Sequence, residues 1–342
     1  MRNVNQLARK KSVPTYQRLW QLARVIALFT TGGFLFAWVL VPEIAVDSFW
    51  NVVVPLIPAS LLVNPLIWRN VCPFATLNMV TAGLIADAKL SRRASLATGT
   101  AGILLLALLI PARIYLLNDN GTALAVTVGA LALISLGVGA WFNVKAGFCN
   151  SFCPVLPVER LYGSNPLLKL GTHRCATCSA CAPACIDLSP VRSPGLAIGR
   201  SNSRSWYATP FGAFATAFPG FVLGYYTVAD TVTSPWQIYF HVGWMALVSF
   251  GVAAALITPV QPKPARTVPV LAAAAAGIYY WFVPELMVET LGFGSEMEWI
   301  IRFSFLTLVA AWLWNATRNS WGVLSGGVRK DVGRKAGARC GA

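Results

Sequence analysis

Charged residues are scarce in this chain: only 11% of its 342 residues are Asp, Glu, Lys or Arg, whereas 56% are hydrophobic. A soluble domain carries about 25% charged residues. Because the shortfall extends along the whole chain, it excludes an ordinary soluble domain and indicates a membrane protein. The formal net charge is +15, but the basic residues lie in short connectors and tails. They do not form one basic face, so no nucleic-acid partner is predicted.

Histidine is also scarce, with only His173 and His241 in the chain. A haem held by two histidines needs one on each of two facing membrane helices. Only His241 falls in an apolar stretch, which disfavours an intrinsic haem. We expect His241 to be a hydrogen-bonded residue near the membrane interface.

Eight apolar stretches approach the roughly 20 residues that a helix needs to cross a bilayer. They cover residues 25–42, 49–67, 97–117, 122–141, 209–229, 237–258, 268–286 and 299–316. The predicted fold class is therefore an all-α integral membrane protein with about eight transmembrane helices. Membrane lipid is its first predicted partner.

The charges of the connectors alternate along the chain. Eight spans put both termini on one side, where the connectors are basic, while the other side is mostly acidic. This positive-inside pattern predicts a bacterial-type inner (cytoplasmic) membrane with both termini cytoplasmic. Five segments follow from it: a basic cytoplasmic head (1–24), helices one to four (25–141), a cytoplasmic segment (142–208), helices five to eight (209–316) and a basic cytoplasmic tail (317–342).

Two basic residues, Arg113 and Arg302, interrupt the acidic side near predicted helix ends. Ionisable groups at such depths are candidates for function, but a long side chain can also extend to the interface. We expect them to pair with nearby glutamates, of which the sequence offers Glu285, Glu289, Glu296 and Glu298.

Cysteine is concentrated in one short window. His173 and Arg174 precede Cys175, Cys178, Cys181 and Cys185. The spacing C-x2-C-x2-C-x3-C is the bacterial ferredoxin run, whose thiolates hold a [4Fe–4S] cluster. Zinc more often takes two C-x2-C pairs with a longer spacer, and a cytoplasmic location disfavours disulfides. The segment 142–208 is therefore predicted to be a small ferredoxin-like iron–sulfur segment, in which His173 and Arg174 could donate hydrogen bonds to cluster sulfides.

Three further cysteines lie in two similar elements, Trp68–Leu77 with Cys72-Pro73 and Cys149–Val158 with Cys153-Pro154. Each follows a pair of predicted spans, which indicates two hairpin repeats. Proline suits the first position of a helix, so each Cys-Pro cysteine is expected at a helix N-terminus, where the dipole lowers the pKa of a thiol.

Two ligand sets for the cluster stay open. In the favoured set, Cys175, Cys178, Cys181 and Cys185 hold a single cluster. In the other, Cys153 replaces Cys185, and a second, incompletely ligated cluster takes Cys185, Cys149 and Cys72. One cluster is thus predicted, with a second as the alternative. Cys340, in the basic tail, is expected to be a free thiol.

The Cys-Pro elements on membrane hairpins, followed by a ferredoxin run, resemble the membrane polyferredoxins of the NapH/NosR/CcoG group over about residues 60–190. This resemblance implies electron transfer between quinol or cytoplasmic donors and a partner across the membrane. It makes quinone a candidate cofactor and redox proteins of a larger complex the expected partners. The alternative is an assembly or anchoring subunit with a structural or sensing cluster. No catalytic residue is predicted, since an electron-transfer subunit fits better than a stand-alone enzyme.

Overall fold

The structure of the chain, a computed structural model, consists of long α-helices joined by short turns. It describes residues 15–82, 84–86, 88, 92–142, 147–149, 151–163, 165–168, 205–229, 231–232 and 234–325. These residues contain no β-strand, and their isolated β-bridge pairs Ala88 with Phe142. The predicted all-α class is confirmed for this part of the chain, whereas most of the ferredoxin-like segment lies outside it.

The first half of the chain forms helices α1 to α7. They are α1 (Thr15–Leu40), α2 (Pro42–Ser48), α3 (Val54–Val63), α4 (Pro65–Val71), α5 (Pro73–Val80), α6 (Arg92–Ala112) and α7 (Gly121–Trp141). A π-helical turn, Phe49–Val53, joins α2 to α3, and a second one, Arg113–Leu117, extends α6. As a result, α2 and α3 make one continuous crossing.

The second half begins with a short helix and continues with four long ones. They are α8 (Leu156–Tyr162), α9 (Pro210–Tyr226), α10 (Pro235–Val260), α11 (Pro264–Leu291) and α12 (Ser295–Ser325), with a 3₁₀ turn, Trp206–Ala208, before α9. Proline opens α9, α10 and α11, as expected for a residue whose missing N–H costs nothing in the first helical turn.

Seven helical segments in the described part of the chain are long and apolar enough to cross a membrane. They match seven of the eight predicted spans. The remaining prediction, residues 209–229, corresponds to α9, whose 17 residues rise about 26 Å and lie at the short limit for a bilayer helix. The chain thus has the helices of a multi-pass membrane protein.

The outer surface of the bundle is apolar. Large hydrophobic side chains such as Phe29, Phe36, Trp244, Leu247 and Phe303 are more than half exposed. A soluble monomer rarely shows contiguous apolar surface of this kind, so the surface is suited to contact with lipid.

The second predicted span ends earlier than the sequence indicates. It was expected to reach residue 67, but α3 ends at Val63 because Asn64 is extended (φ −165°, ψ 123°). The following Pro65 disfavours an α-conformation at Asn64. The Asn64 side chain then caps α4 by accepting a hydrogen bond of 2.8 Å from the Leu66 N–H.

Helix α9 occupies the centre of the second half. It packs against both α10 and α11, and ten of its 17 residues are buried. Close approach to α10 depends on Gly220, where an added Cβ would overlap the Met245 carbonyl oxygen. The shortest of the long helices is therefore the one most enclosed by the others.

Replacement of Gly220 by alanine is expected to destabilise the bundle by about 1–3 kcal/mol, the usual cost of overpacking. Gly251→Ala on α10 is the matched control, because nothing lies within 4 Å of a Cβ added there. The control should be neutral or stabilising by up to about 1 kcal/mol, since alanine favours helix more than glycine does. Unfolding of the two variants in detergent measures the difference, and equal stabilities would contradict the described packing.

Candidate functional site

Three of the seven cysteines predicted as ligands lie in the described part of the chain, namely Cys72, Cys149 and Cys153. We call the end of the bundle that they define the cysteine end. The ferredoxin run and its neighbours lie outside the described residues: His173, Arg174, Cys175, Cys178, Cys181 and Cys185. Their roles, and the choice between the two ligand sets, stay predictions.

Cys72 lies at the start of a helix, as the sequence predicts. It is the N-cap residue of α5, and Pro73 takes the first helical position. The Cys72 carbonyl oxygen accepts hydrogen bonds from the backbone N–H and the hydroxyl of Thr76, each at 3.1 Å. The Cys-Pro pair therefore separates α4 from α5, and the Cys72 side chain is buried.

The same prediction is wrong for Cys153. Helix α8 begins at Leu156 with Val155 as its N-cap, so Cys153 lies in the preceding turn. There its N–H donates to the Phe148 carbonyl at 3.2 Å, and its own carbonyl accepts from the Leu156 N–H at 3.1 Å. The reason is a second proline, Pro157, which occupies the first turn of α8 in place of Pro154.

The two Cys-Pro elements converge in space although they lie far apart in the chain. The ring centroids of Phe74, after Cys72, and Phe148, before Cys149, are 6.0 Å apart. Phe148, Cys153 and Leu156 form a small buried cluster against which Phe74 and Cys149 pack. The two hairpins predicted from the sequence thus end at one common place.

Burial raises the pKa of the Cys153 thiol well above its ordinary value, because a thiolate would lose its hydration there. Cys149, Cys72 and the Glu159 carboxylate raise it further, since each places negative charge near the thiolate. A hydrogen bond with the Val155 backbone lowers the pKa by less. The prediction of a lowered pKa is therefore wrong for Cys153, which is a neutral thiol at pH 7 in the absence of a cation.

The segment that carries Cys149 and Cys153, described over residues 147–149, 151–163 and 165–168, inserts into the cysteine end of the bundle. Its Leu167 and Leu168 N–H groups donate to the Leu62 and Val63 carbonyls at 3.0 and 2.9 Å. These carbonyls belong to the last turn of α3, where no intrahelical donor is left. The insertion therefore satisfies backbone groups of a membrane helix.

Side chains of other helices also form hydrogen bonds with the backbone of the same segment. Trp312 donates its indole N–H to the Tyr162 carbonyl at 3.1 Å, and the Asn315 amide donates to the Pro166 carbonyl at 3.0 Å. On α6, Gly102 faces the inserted backbone, because a Cβ there would lie 3.0 Å from the Cys153 carbonyl oxygen. The absence of a side chain at Gly102 thus allows the segment to approach α6.

A buried ion pair holds α8 against α4. The Arg69 guanidinium donates to the Glu159 carboxylate, and both side chains are about nine-tenths buried. The neighbouring Arg160 is also buried, and desolvation lowers its pKa to about 10, so that it stays cationic at pH 7. The sequence analysis placed Glu159 and Arg160 in the cytoplasmic segment 142–208 and did not identify them as a buried pair. The available signal was a Glu-Arg pair flanked by apolar Val158 and Leu161.

The three cysteines do not by themselves form a metal site. Among the described residues, no group of three or more His, Cys, Asp or Glu side chains is arranged to hold a metal ion. Any metal centre at the cysteine end would therefore need ligands from outside those residues.

The remaining candidates lie at the opposite end of the bundle. His241 shares a hydrogen bond of 3.0 Å with the Thr227 hydroxyl, which confirms its predicted hydrogen-bonded role. Arg302 pairs with Glu298 at 2.5 Å, also as predicted. Arg113 does not pair with a glutamate, contrary to the prediction. Its guanidinium donates to the Asn118 and Asn51 amide oxygens, at 2.8 and 3.0 Å.

Comparison of the chain with protein-family models, with curated proteins and with solved structures finds no match. The seven long apolar helices by themselves define the class as a helical multi-pass membrane protein.

The buried ion pair gives the first prediction for this site. Glu159→Gln leaves the Arg69 charge without this carboxylate, and breaking a buried pair typically costs about 3–5 kcal/mol. Glu285→Gln is the control, since Glu285 is exposed and surface changes stay within about 0.5 kcal/mol. Denaturation in detergent compares the two variants, and an unchanged stability of Glu159→Gln would show that the pair does not hold α8 in position.

The raised pKa of Cys153 gives a second prediction for this site. Since the thiolate is the reactive form, its alkylation by iodoacetamide should be slow at pH 7 in protein prepared with chelator. The rate should still rise with pH above pH 9, where an ordinary thiol levels off. Mass spectrometry of peptides containing Cys153 follows the rate, with urea-unfolded protein as control. A rate that reaches half its maximum near pH 8.5 in the folded protein, as for an ordinary thiol, would contradict the assigned burial.

Proposed function

We propose that this chain is a membrane-bound iron–sulfur electron-transfer protein. The single observation that carries the proposal is the run Cys175, Cys178, Cys181 and Cys185, because its spacing is that of cluster-binding ferredoxin loops. The resemblance to membrane polyferredoxins of the NapH/NosR/CcoG group supports the same function. The membrane location in the proposal is supported by seven helices that are long and apolar enough to cross a bilayer.

The fold supports a cluster at the cysteine end through chain connectivity. The described part of the inserted segment ends at Leu168, whose N–H bonds to Val63. Six residues lie between Leu168 and Cys175, and the seven Cα–Cα steps that join the two span at most about 25 Å when fully extended. The first cysteine of the run is therefore tethered within this distance of Leu168, which is bonded to the last turn of α3.

The thiols present fit such a group chemically. A [4Fe–4S] cluster needs deprotonated cysteines as ligands, and when bound it supplies one-electron transfer. Cys153 ionises with difficulty by itself, because its pKa is raised. Should it be a ligand, metal binding would release its proton and offset the desolvation of the thiolate. Cys153 is therefore chemically suited to the second predicted ligand set, in which it replaces Cys185.

The proposed orientation in the membrane follows from the charge pattern. The positive-inside rule puts the cysteine end in the cytoplasm, together with both termini, in a bacterial-type inner membrane. There the cluster would relay electrons between a cytoplasmic donor or the quinone pool and a redox partner in or beyond the membrane. Membership in a larger complex belongs to this proposal, because the resemblance to the NapH/NosR/CcoG group implies redox proteins as partners.

The seven apolar helices, which could hold a larger enzyme in the membrane, favour a second candidate, an assembly or anchoring subunit with a structural or sensing cluster. In a relay, loss of the cluster stops electron delivery to the partner while the complex stays assembled. In an anchoring subunit, loss of the cluster changes assembly instead. Co-purification of the partner with cluster-free protein, combined with a reduction assay, distinguishes the two.

The experiment that tests the proposal is low-temperature EPR of protein purified without oxygen and reduced with dithionite. The expected result is a reversible signal from a reduced [4Fe–4S] cluster. Cys178→Ala should abolish the signal while membrane insertion survives, because Cys178 belongs to both ligand sets. Cys340→Ala, in the basic tail, is the matched control and should retain the full signal. A wild-type signal in Cys178→Ala would refute the cluster assignment.

The same measurement separates the two ligand sets. If the run alone holds the cluster, Cys185→Ala loses the signal and Cys153→Ala retains it. If Cys153 is the fourth ligand, Cys153→Ala loses the signal of the first cluster.

A further inference from the structure

A second place in the molecule has the features of a binding site, and it lies at the end of the bundle opposite the cysteines. A cavity of about 930 Å³ opens there between α2, the two π-helical turns and the ends of α9 and α11. Its volume falls in the range of small-molecule sites, about 300–1,000 Å³. Nothing in the proposed iron–sulfur function uses this cavity.

Arg113 is the distinctive residue of the cavity wall. It is only 8% exposed, and its guanidinium lies over the Trp50 and Tyr225 rings, 4.8 and 5.7 Å from their centroids. Its hydrogen bonds go to two neutral amides, Asn118 and Asn51. Only two of the five N–H donors of a guanidinium are used in this way.

Arg113 also lacks a counter-charge within the described residues, where no carboxylate lies within ion-pair distance of it. Arg302, the other buried arginine at this end, pairs with Glu298. A buried charge with no opposite charge is costly, and a ligand's acid group would compensate for it. The remaining Arg113 donors are available for that acid, because Arg113 lines the cavity.

The backbone around Arg113 is unusual as well. Arg113 begins one π-helical turn, and its partner Asn51 lies in the other. Such turns are rare and occur frequently at functional sites. Asn51 in turn donates to the Thr290 hydroxyl at 3.0 Å, which fixes the amide that orients the guanidinium.

The rim of the cavity has the opposite charge. Four exposed carboxylates line it, from Glu43, Asp47, Asp119 and Glu289. They repel a simple anion, whereas Arg113 repels a simple cation. A neutral molecule would form an ion pair neither with the Arg113 guanidinium nor with the carboxylates of the rim. Only a molecule with both charges uses every part of the wall.

We propose that this cavity binds a zwitterion, with the acid group of the ligand on Arg113 and its amine toward the carboxylates of the rim. Tyr115 and Tyr225 provide aromatic surface for the body of the ligand. Both a free amino acid and the headgroup of an aminophospholipid have this chemistry.

The test is calorimetric titration of the full chain in non-ionic detergent with three probes that share one phenyl ring. L-Phenylalanine carries both charges, 3-phenylpropionate only the acid and 2-phenylethylamine only the amine. L-Phenylalanine is expected to bind at least about tenfold more tightly than either, a difference of about 1.4 kcal/mol. Equal affinities for the three probes, or no binding of L-phenylalanine, would overturn the proposal.

Asn51→Asp tests the role of Arg113 with almost no change in side-chain volume. It provides the missing carboxylate at hydrogen-bond distance from the guanidinium, so the fold should be at least as stable as before. The affinity for L-phenylalanine should fall about tenfold or more, while that for 2-phenylethylamine does not fall. An unchanged affinity for L-phenylalanine would contradict the proposed contact.

The matched control is Asn120→Asp, the same substitution at the same end but outside the cavity wall. Asn120 caps α7 by accepting from the Ala123 N–H at 2.9 Å, and aspartate caps helices equally well. Its affinity for L-phenylalanine should stay at the wild-type value. A loss equal to that in Asn51→Asp would show a general effect of added charge and overturn the assignment to Arg113.

Two competitors identify the source of the ligand. Phosphatidylethanolamine that displaces L-phenylalanine from the wild type indicates a lipid headgroup, whereas failure to displace it indicates a soluble zwitterion. Either result upholds the proposed chemistry. A neutral quinone analogue that binds more tightly than L-phenylalanine, and equally well to Asn51→Asp, would contradict it.

Discussion

The ion pair between Arg69 and Glu159 is the interaction on which the cysteine end depends. A bilayer offers no water to satisfy irregular backbone, so such backbone is tolerated only where protein encloses it. The segment 147–168 meets this requirement by bonding to the free carbonyls of α3 and to side chains of α12. The Arg69–Glu159 pair fixes the direction of α8, and with it the turn that carries Cys149 and Cys153.

This arrangement relates the two Cys-Pro elements physically. In the first, proline directly opens a helix, and in the second it forms a turn before one. The elements nevertheless meet through Phe74 and Phe148. A similar sequence at two places has therefore produced two local structures at one site, because Pro157 occupies the first turn of α8 and leaves Pro154 in the preceding turn.

Much of the fold could be predicted from hydrophobic length alone, since seven apolar segments match predicted spans. The limits of the helices could not. Apolar length measures the hydrocarbon core, whereas helices continue beyond it: α1 begins at Thr15, ten residues before the apolar stretch. The end of α3 was readable in principle, because Asn64-Pro65 combines a helix cap with a residue that stops the preceding helix.

The candidate site was only partly predictable, because burial depends on contacts distant in sequence. Cys72 could be assigned to a helix start from Pro73, which is a local effect. The raised pKa of Cys153 could not be foreseen, since it results from packing against distant residues. The environment of Arg113 was missed for the same reason: its charge suggested a glutamate partner, whereas the amides of Asn51, in one π-helical turn, and Asn118, directly after the other, accept its hydrogen bonds instead.

The proposed function requires that thiolates of the ferredoxin run hold an iron–sulfur cluster. The content of iron, acid-labile sulfide and zinc in protein purified under anaerobic conditions tests this requirement. About four iron and four sulfide per chain are expected for one [4Fe–4S] cluster, or about eight of each for two. Zinc without sulfide, or colourless protein free of iron, would contradict it.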